Sequence, residues 1–456
     1  MDIGRIRDEY RKYIDGHRKE MEEGASVMKD DLDHSALLHR GEYTAMPLMI
    51  PRLYSMETKR LFEDIVETTY GILNKVIKEY MNKEDYRRLF PFSKELEEMI
   101  LDSKDAVSYL PLARFDIFYH EDTGEFYFCE LNADGSSGMN ADRLLDELMI
   151  NNPAHQAMRY SYSMNTMELF DSWVDEFLCL YGKWSKKNGG SDGPNVVITD
   201  FLDMGRLREF EEFARRFQRK GISCEICDIR DFKYIDGVLY SKQGHRVDAV
   251  YRRAVTIDIL EHMDEVKAFT QALRDKAVFA AGDFCTQIAH NKWLFYLLHT
   301  ERTGSFLSEE ENEFVKKHVP LTFPFDEKGL SEMQLDTGEI INNKDRYILK
   351  PQDGYGSRGV KAGVETPQEE WEAFVKFIYG EDYICQEFAK QYASYNIDFM
   401  FDEGKWKDYI HMAGLFCYNG KFAGVIARSA PAGGIIDFHR NERRQVTYFV
   451  EETENE

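Results

Sequence analysis

A mixed α/β fold of the α+β kind, spread over more than one domain, is predicted from three stretches of this sequence. Residues 195–229 alternate strand, amphipathic helix and strand, the β-α-β pattern. Residues 112–120 and 125–132 are two alternating apolar and polar runs around Glu121-Asp122-Thr123-Gly124, which reads as a hairpin. From 382 to 428 four strand-like runs follow one another, whereas 54–81 carries apolar residues at helical spacing. A length of 456 residues accommodates two or three units with their own cores.

Taken in order, residues 1–100 read mostly helical, broken at Leu89-Phe90-Pro91. After the hairpin, small residues and hydroxyls at Gly135-Ser136-Ser137-Gly138 enter a helix at 140–149, a setting suited to capping or to a bound carboxylate. One further helix is expected at 157–184, then a linker at 187–194. The β-α-β unit follows, with its helix at 206–220 and more strand at 238–240 and 247–251. Residues 283–298 lead into a helix, and 305–345 read as polar connection. Pro367 opens a helix to 379, and strands are expected at 382–388, 395–401, 410–418 and 422–428. Residues 430–436 form a glycine-containing loop, and the acidic tail 451–456 is expected to fray.

Composition excludes several classes. The chain is 43% hydrophobic and 14% aromatic, as globular domains are, and its formal charge of -24 repels nucleic acid. No apolar run is long enough to span a membrane, and the first residues lack an apolar signal core. Seven scattered cysteines fit a reducing cytoplasm. Cys224-Glu-Ile-Cys227 lies in a strand-like run, where residues three apart point to opposite faces, so a metal or redox role is not expected.

Two constellations carry chemistry. In Lys350-Pro351-Gln352-Asp353-Gly354-Tyr355-Gly356-Ser357-Arg358-Gly359, an apolar run ends in a lysine and glycines follow at once. Glycines let backbone N–H groups approach an anion, and the lysine adds a point charge for phosphate oxygens. A dinucleotide fold needs a helix to start in such a loop, but residues 360–364 read as strand. A protein kinase places its lysine after the loop, not before. The segment reads as a hairpin lid over a nucleotide triphosphate. In the other constellation, a three-residue loop at 122–124 sets Asp116 across from Glu130 and Arg114 across from Asn132 on one face. Two facing carboxylates with an amide oxygen suit Mg²⁺ held together with phosphates and water. The residues alone leave open a solvent-facing side of the hairpin.

Together these motifs resemble the circularly permuted ATP-grasp ligases, the group of eukaryotic-type glutathione synthetase and glutathionylspermidine synthetase. Glu130-Leu-Asn132 precedes the glycine lid here, as in the permuted group. The resemblance implies a circularly permuted ATP-grasp fold with an inserted small α/β, pre-ATP-grasp-like substrate domain and a glycine-rich lid. It divides the chain into a helical region 1–104, a first ATP-grasp segment 105–190, the insert 191–285, a lid segment 286–385 and a C-terminal segment 386–456. It implies ATP and two Mg²⁺ ions as cofactors. Asp116, Glu130 and Asn132 would hold metal, and Arg114, Lys350 and Arg428 would act in catalysis. Lys292, Lys350, Gln352, Gly354, Tyr355, Gly356, Ser357, Arg358, Gly359, Gln386 and Glu387 would meet the nucleotide. Ser136, Ser137, Gly433 and Gly434 would meet substrate. Asp353 stands near a further acidic ligand of the family, and dimers are frequent in it. Ala430 replaces a family lysine, the lid lacks the family's triple glycine, and there is no amidase domain. The implied activity is ATP-dependent joining of a small-molecule carboxylate to an amine through an acyl phosphate. The alternatives are a non-catalytic nucleotide-binding module and a small-molecule kinase on the same scaffold.

Overall fold

A computed structural model describes residues 2–39, 41–203 and 207–452. Its centre is an antiparallel sheet ordered Arg443–Gln445, Lys421–Pro431, Trp406–Tyr418, Leu112–Tyr119 and Phe126–Asn132, with Ala393–Ile397 also paired to Trp406–Tyr418. A second, parallel sheet is ordered Phe279–Ala281, Ala249–Arg252, Val196–Asp200 and Cys224–Asp228, and its side chains share cores with the central sheet. A third sheet joins Thr322–Pro324, Tyr383–Glu387, Tyr347–Pro351 and Lys361–Ala362. The architecture is mixed α/β with several sheets, as the alternation patterns predict. Among the described residues no helix is long and apolar enough to cross a membrane.

Helix Met56–Asn82 is capped by the Ser55 hydroxyl and buries Phe62, Ile65, Val66, Ile72, Leu73, Val76 and Ile77. That apolar stripe packs in one core with Phe115, Ile117, Phe128 and Leu131 of the central sheet. The third sheet has a core of its own, in which Phe323, Leu349, Cys385 and Trp371 meet Leu330 and Ile340. Cys224 and Cys227 are both buried but belong to different cores, the opposite-face placement expected of strand residues three apart. All seven cysteines are free.

The differences from expectation are instructive. Residues 305–345 are not plain connection: they hold helices Glu309–His318, Glu327–Glu332 and Thr337–Asn342 and the edge strand Thr322–Pro324. A local signal was present, since Ser308 and Glu311 form a reciprocal capping box before an acidic first turn. The single helix expected at 157–184 is instead Pro153–Arg159, strand Tyr162–Asn165 and helix Asp171–Asn188. Its strand pairs antiparallel with Thr447–Glu452, which also pairs parallel with Arg52–Ser55. Thus Glu451 and Glu452 are paired rather than frayed, while 453–456 lie outside the described residues, as does Arg206 at the expected start of helix Leu207–Arg219. The run expected at 395–401 is strand Ala393–Ile397, and Asp398 then accepts the Met400 and Phe401 N–H groups to turn the chain.

Trp371 is fully buried in the third sheet's core, and its indole N–H donates to the Ile340 carbonyl at 3.0 Å. Trp371→Ala should lower stability by about 3–5 kcal/mol. Urea denaturation measures this, and a loss below about 1 kcal/mol would contradict that core.

Candidate functional site

Arg114 is paired with Asn132 and Asp116 with Glu130, the register that the hairpin pattern predicts. The reason differs from the expected loop. Nearer the turn the pairing is offset by one, with Ile117 facing Phe128, and a bulge at Cys129 restores the alignment. Two carboxylates thus lie side by side on one face.

Their repulsion is relieved from three sides. Arg114 grips Asp116 with both arms, Nε to Oδ1 at 2.6 Å and Nη2 to Oδ2 at 2.8 Å. The Asn132 amide nitrogen donates to Asp116 at 3.0 Å and to Glu130 at 3.1 Å. Burial alone would raise Glu130, but Lys292, Arg428, Asn132 and Arg114 outweigh it and pull its carboxyl down to about 2. Asp116, wholly buried, is pushed up by burial against the opposing pull of Arg114. On the neighbouring strand the residue beside Asp116 is Gly414, where a Cβ would come within 2.8 Å of the Arg114 Cδ and 2.9 Å of the Asp116 Oδ1. Only glycine leaves room for this pair.

A cleft opens above the hairpin, between the central and third sheets. It brings Glu130, Lys292, Lys350, Asp353, Gly354, Tyr355, Ser357, Arg358, Gln386 and Arg428 to one surface. Its apolar wall is Phe118, Phe128, Ile348, Val360, Phe388 and Met412. Lys350, on strand Tyr347–Pro351, donates to Gln386 Oε1 at 2.8 Å and to the Cys129 carbonyl at 3.1 Å, and burial lowers its ammonium. Lys292 donates through Nζ to the Gly354 carbonyl at 2.8 Å and through its backbone to Gln352 at 2.8 Å. The segment before the lysine is therefore tied directly to the glycine loop.

Other expected residues sit differently. Arg114, Asp116 and Asn132 lie behind Glu130 and do not line the cleft. Gln352, Gly356, Gly359 and Glu387 also lie off its surface; Glu387 sits 3.7 Å from Arg346 instead. The Ser136 hydroxyl donates to the Asn132 carbonyl, and the Ser137 carbonyl accepts from Arg114 at 2.5 Å. The following helix N-terminus, Gly138 and Asn140 N–H, is satisfied by Glu209, whose other oxygen meets Arg253 at 2.9 Å. Gly433 and Gly434 lie beyond the cleft lining. Asp134 is held by Arg252, Thr286 and the Thr256 N–H, and Gln287 donates to Asp353.

Sequence reasoning missed Glu442, Asp258 and Glu365. Glu442 holds Arg428 at 2.7 Å through Nε and Arg444 at 2.7 Å, and so aims Arg428 along the cleft wall. Asp258 of the insert accepts the Tyr355 hydroxyl at 3.1 Å. None of them belongs to a recognisable local motif.

The chemistry of the donor set bears on a cation. Among the described residues no group of three or more Asp, Glu, His or Cys side chains is disposed to hold a metal ion. Glu130 faces the cleft, however, and a half-turn of the Asn132 amide presents oxygen beside it. A hard ion that keeps waters and takes phosphate oxygens needs only one or two carboxylates from the protein, which this pair fits. Asp116 fits less well, since both its oxygens are taken by Arg114.

The site and sheets define a mixed α/β protein with a cleft between two sheets. No family model and no curated protein matches the sequence. The fold is similar to that of a solved structure, a glutathione synthetase-like effector from Globodera pallida in its apo form. The TM-score is 0.59 at 12% identity, over 94% of this chain and 96% of that one. The likeness is one of fold, and the chain thus has a glutathione synthetase-like fold.

Glu130 also links the site to stability. Its carboxyl stays ionised to about pH 2 folded but only to about 4.5 unfolded. Between those values the unfolded chain binds more protons, so its contribution is complete above pH 4.5 and lost as pH falls toward 2. Glu130→Gln should reduce the stability lost between pH 5 and pH 3 by about 1–2 kcal/mol. Denaturant titrations at the two pH values test this; equal losses in both proteins would contradict the charge environment described.

Proposed function

We propose that this protein is an ATP-dependent carboxylate–amine ligase on a circularly permuted ATP-grasp scaffold, working through an acyl phosphate. The observation that carries the reading is the cleft in which Glu130 faces Lys292, Lys350 and the loop 353–358. Phosphates need cations and a bound divalent ion needs a carboxylate, and the cleft sets Lys292, Lys350, Arg428 and Glu130 on one surface in a chain of net charge -24.

Glu130 and Asn132 would hold Mg²⁺, which supplies charge neutralisation to phosphate oxygens. Lys292 and Lys350 would hold those oxygens as point charges, and the loop 354–359 would cover them. The apolar wall by Phe128, Ile348 and Phe388, next to Gln386, suits a planar base. A substrate carboxylate would take the terminal phosphoryl group, ADP would leave, and an amine would then displace phosphate to form an amide. Arg428, on the cleft wall, would stabilise charge on the transferring group. Arg114, from behind, would position Asp116 and, through it, Asn132. Exclusion of water by the loop protects such an intermediate.

The engagement of both Asp116 oxygens by Arg114 favours a second reading, a nucleotide-binding module that does not ligate. A coupled ADP-release screen over amino acids, γ-glutamyl peptides and polyamines separates the two, with Glu130→Ala as the blank. The ligase reading expects release that requires both an acid and an amine. It expects Glu130→Ala and Lys350→Ala each to lower the rate roughly 10²–10³-fold. Binding of an ATP analogue without turnover over the whole panel would favour the module. A stable phosphorylated product formed without amine would indicate a kinase, and no nucleotide binding would remove all three.

A further inference from the structure

Residues 432–442 form the loop between strands Lys421–Pro431 and Arg443–Gln445, beside the cleft. The segment is braced internally: the Asp437 carbonyl accepts the N–H groups of Arg440, Asn441 and Glu442 at 3.1–3.2 Å. Asn441 accepts from the Asp437 N–H at 2.9 Å and donates to the Ile435 carbonyl at 3.0 Å. Ile435 and Ile436 line the cleft. Ile435 also packs on Ile348 and Ala362 of the third sheet, with Val360 and Phe388 against them.

Glu365 makes two polar contacts that fasten this loop to the third-sheet side of the cleft. It follows strand Lys361–Ala362 in the turn Gly363–Glu365. One of its oxygens accepts the Ile435 N–H at 3.2 Å, and the other meets Arg440 at 3.0 Å. Arg440 is held in turn by Asp437 at 2.9 Å. Glu365 also accounts for a glycine that motif reading assigned to substrate. A Cβ at Gly434 would lie 1.9 Å from the Glu365 Oε2, so a side chain at 434 would displace this carboxylate from its place.

We propose that Glu365 is a latch, a positioning residue that clamps the loop 432–442 onto the third sheet and so closes the cleft over its occupant. The glycine loop and Glu365 belong to the same sheet, whose core is separate from that of the central sheet. Admission of a ligand by movement of this sheet breaks the Glu365 contacts, and closure remakes them. The inference rests on the ligase reading for its catalytic consequence. With the latch broken, water reaches the acyl phosphate and takes the acyl group, giving back free carboxylate and phosphate, so ADP is released without amide.

Two measurements on the full chain test it. In amide hydrogen exchange of the ligand-free protein, Glu365→Ala should speed exchange across 432–442 by about tenfold or more, leaving 406–431 unchanged. Glu365→Gln, which keeps an acceptor for the Ile435 N–H but loses the Arg440 ion pair, should fall between the two. Unchanged exchange in Glu365→Ala overturns the latch whatever the enzyme does, and faster exchange in 406–431 as well would mark general loosening and also overturn it. With an acid and amine that support turnover, the ratio of ADP released to amide formed should rise from near one to several in Glu365→Ala. A ratio that stays near one despite faster exchange overturns the role in closure. Absence of any wild-type ADP release would sink the ligase reading and leave exchange to decide the latch.

Discussion

Two carboxylates forced side by side on adjacent strands are the constraint around which this molecule is arranged. Asp116 and Glu130 face each other across the sheet, and like charges in such positions repel. The pair persists because Arg114 is clamped to one member and Lys292 and Arg428 lie near the other. Removing one partner from a buried ion pair leaves an uncompensated charge and costs about 3–5 kcal/mol. The pair thus dictates neighbours on several elements. Gly414 makes room for Arg114 and Asp116, and Glu442 anchors Arg428.

The cations that balance Glu130 come from parts of the chain with different packing. Lys292 follows the short helix Gln287–His290, Arg428 lies on the central sheet, and Lys350 lies on the third sheet. The third sheet has its own apolar core, so it packs as a body and carries the glycine loop with it. Apolar packing of Ile435 on Ile348 and Ala362 joins it to the rest, beside polar ties: Lys292 to the Gly354 and Gln352 carbonyls, Gln287 to Asp353, Lys350 to the Cys129 carbonyl, Tyr355 to Asp258, and Glu365 to the loop 432–442. Contacts of this kind exchange readily with water, unlike buried apolar surface. Opening the cleft separates these polar ties and the small apolar cluster around Ile435, while the core of the third sheet around Trp371 stays whole.

The similarity to the Globodera pallida effector extends over nearly the whole of both chains at 12% identity. Such a likeness reflects shared sheet order and core layering, which many sequences satisfy. It speaks to the scaffold. What the cleft does is argued from Glu130, Lys292, Lys350 and the loop beside them, because chemistry resides in the site and not in the fold.

Local sequence was sufficient wherever structure depends on neighbours along the chain. The strand before the glycine loop and the β-α-β alternation follow from periodicities of two and 3.6, whereas the shared face of Arg114, Asp116, Glu130 and Asn132 also needs the bulge at Cys129, which strict alternation does not show. The role of Ser136 and Ser137 was not legible, since Glu209, some seventy positions away, takes the helix N–H groups beside them. Nor was the strand Thr447–Glu452, which looks like an acidic tail until Arg52–Ser55 and Tyr162–Asn165 pair with it. Gly433-Gly434 is conspicuous as a string, yet the neighbour that a side chain at 434 would displace is Glu365, some seventy positions away. In each case the deciding partner is distant in sequence, and a contact made only after chain folding leaves no periodic trace in either segment.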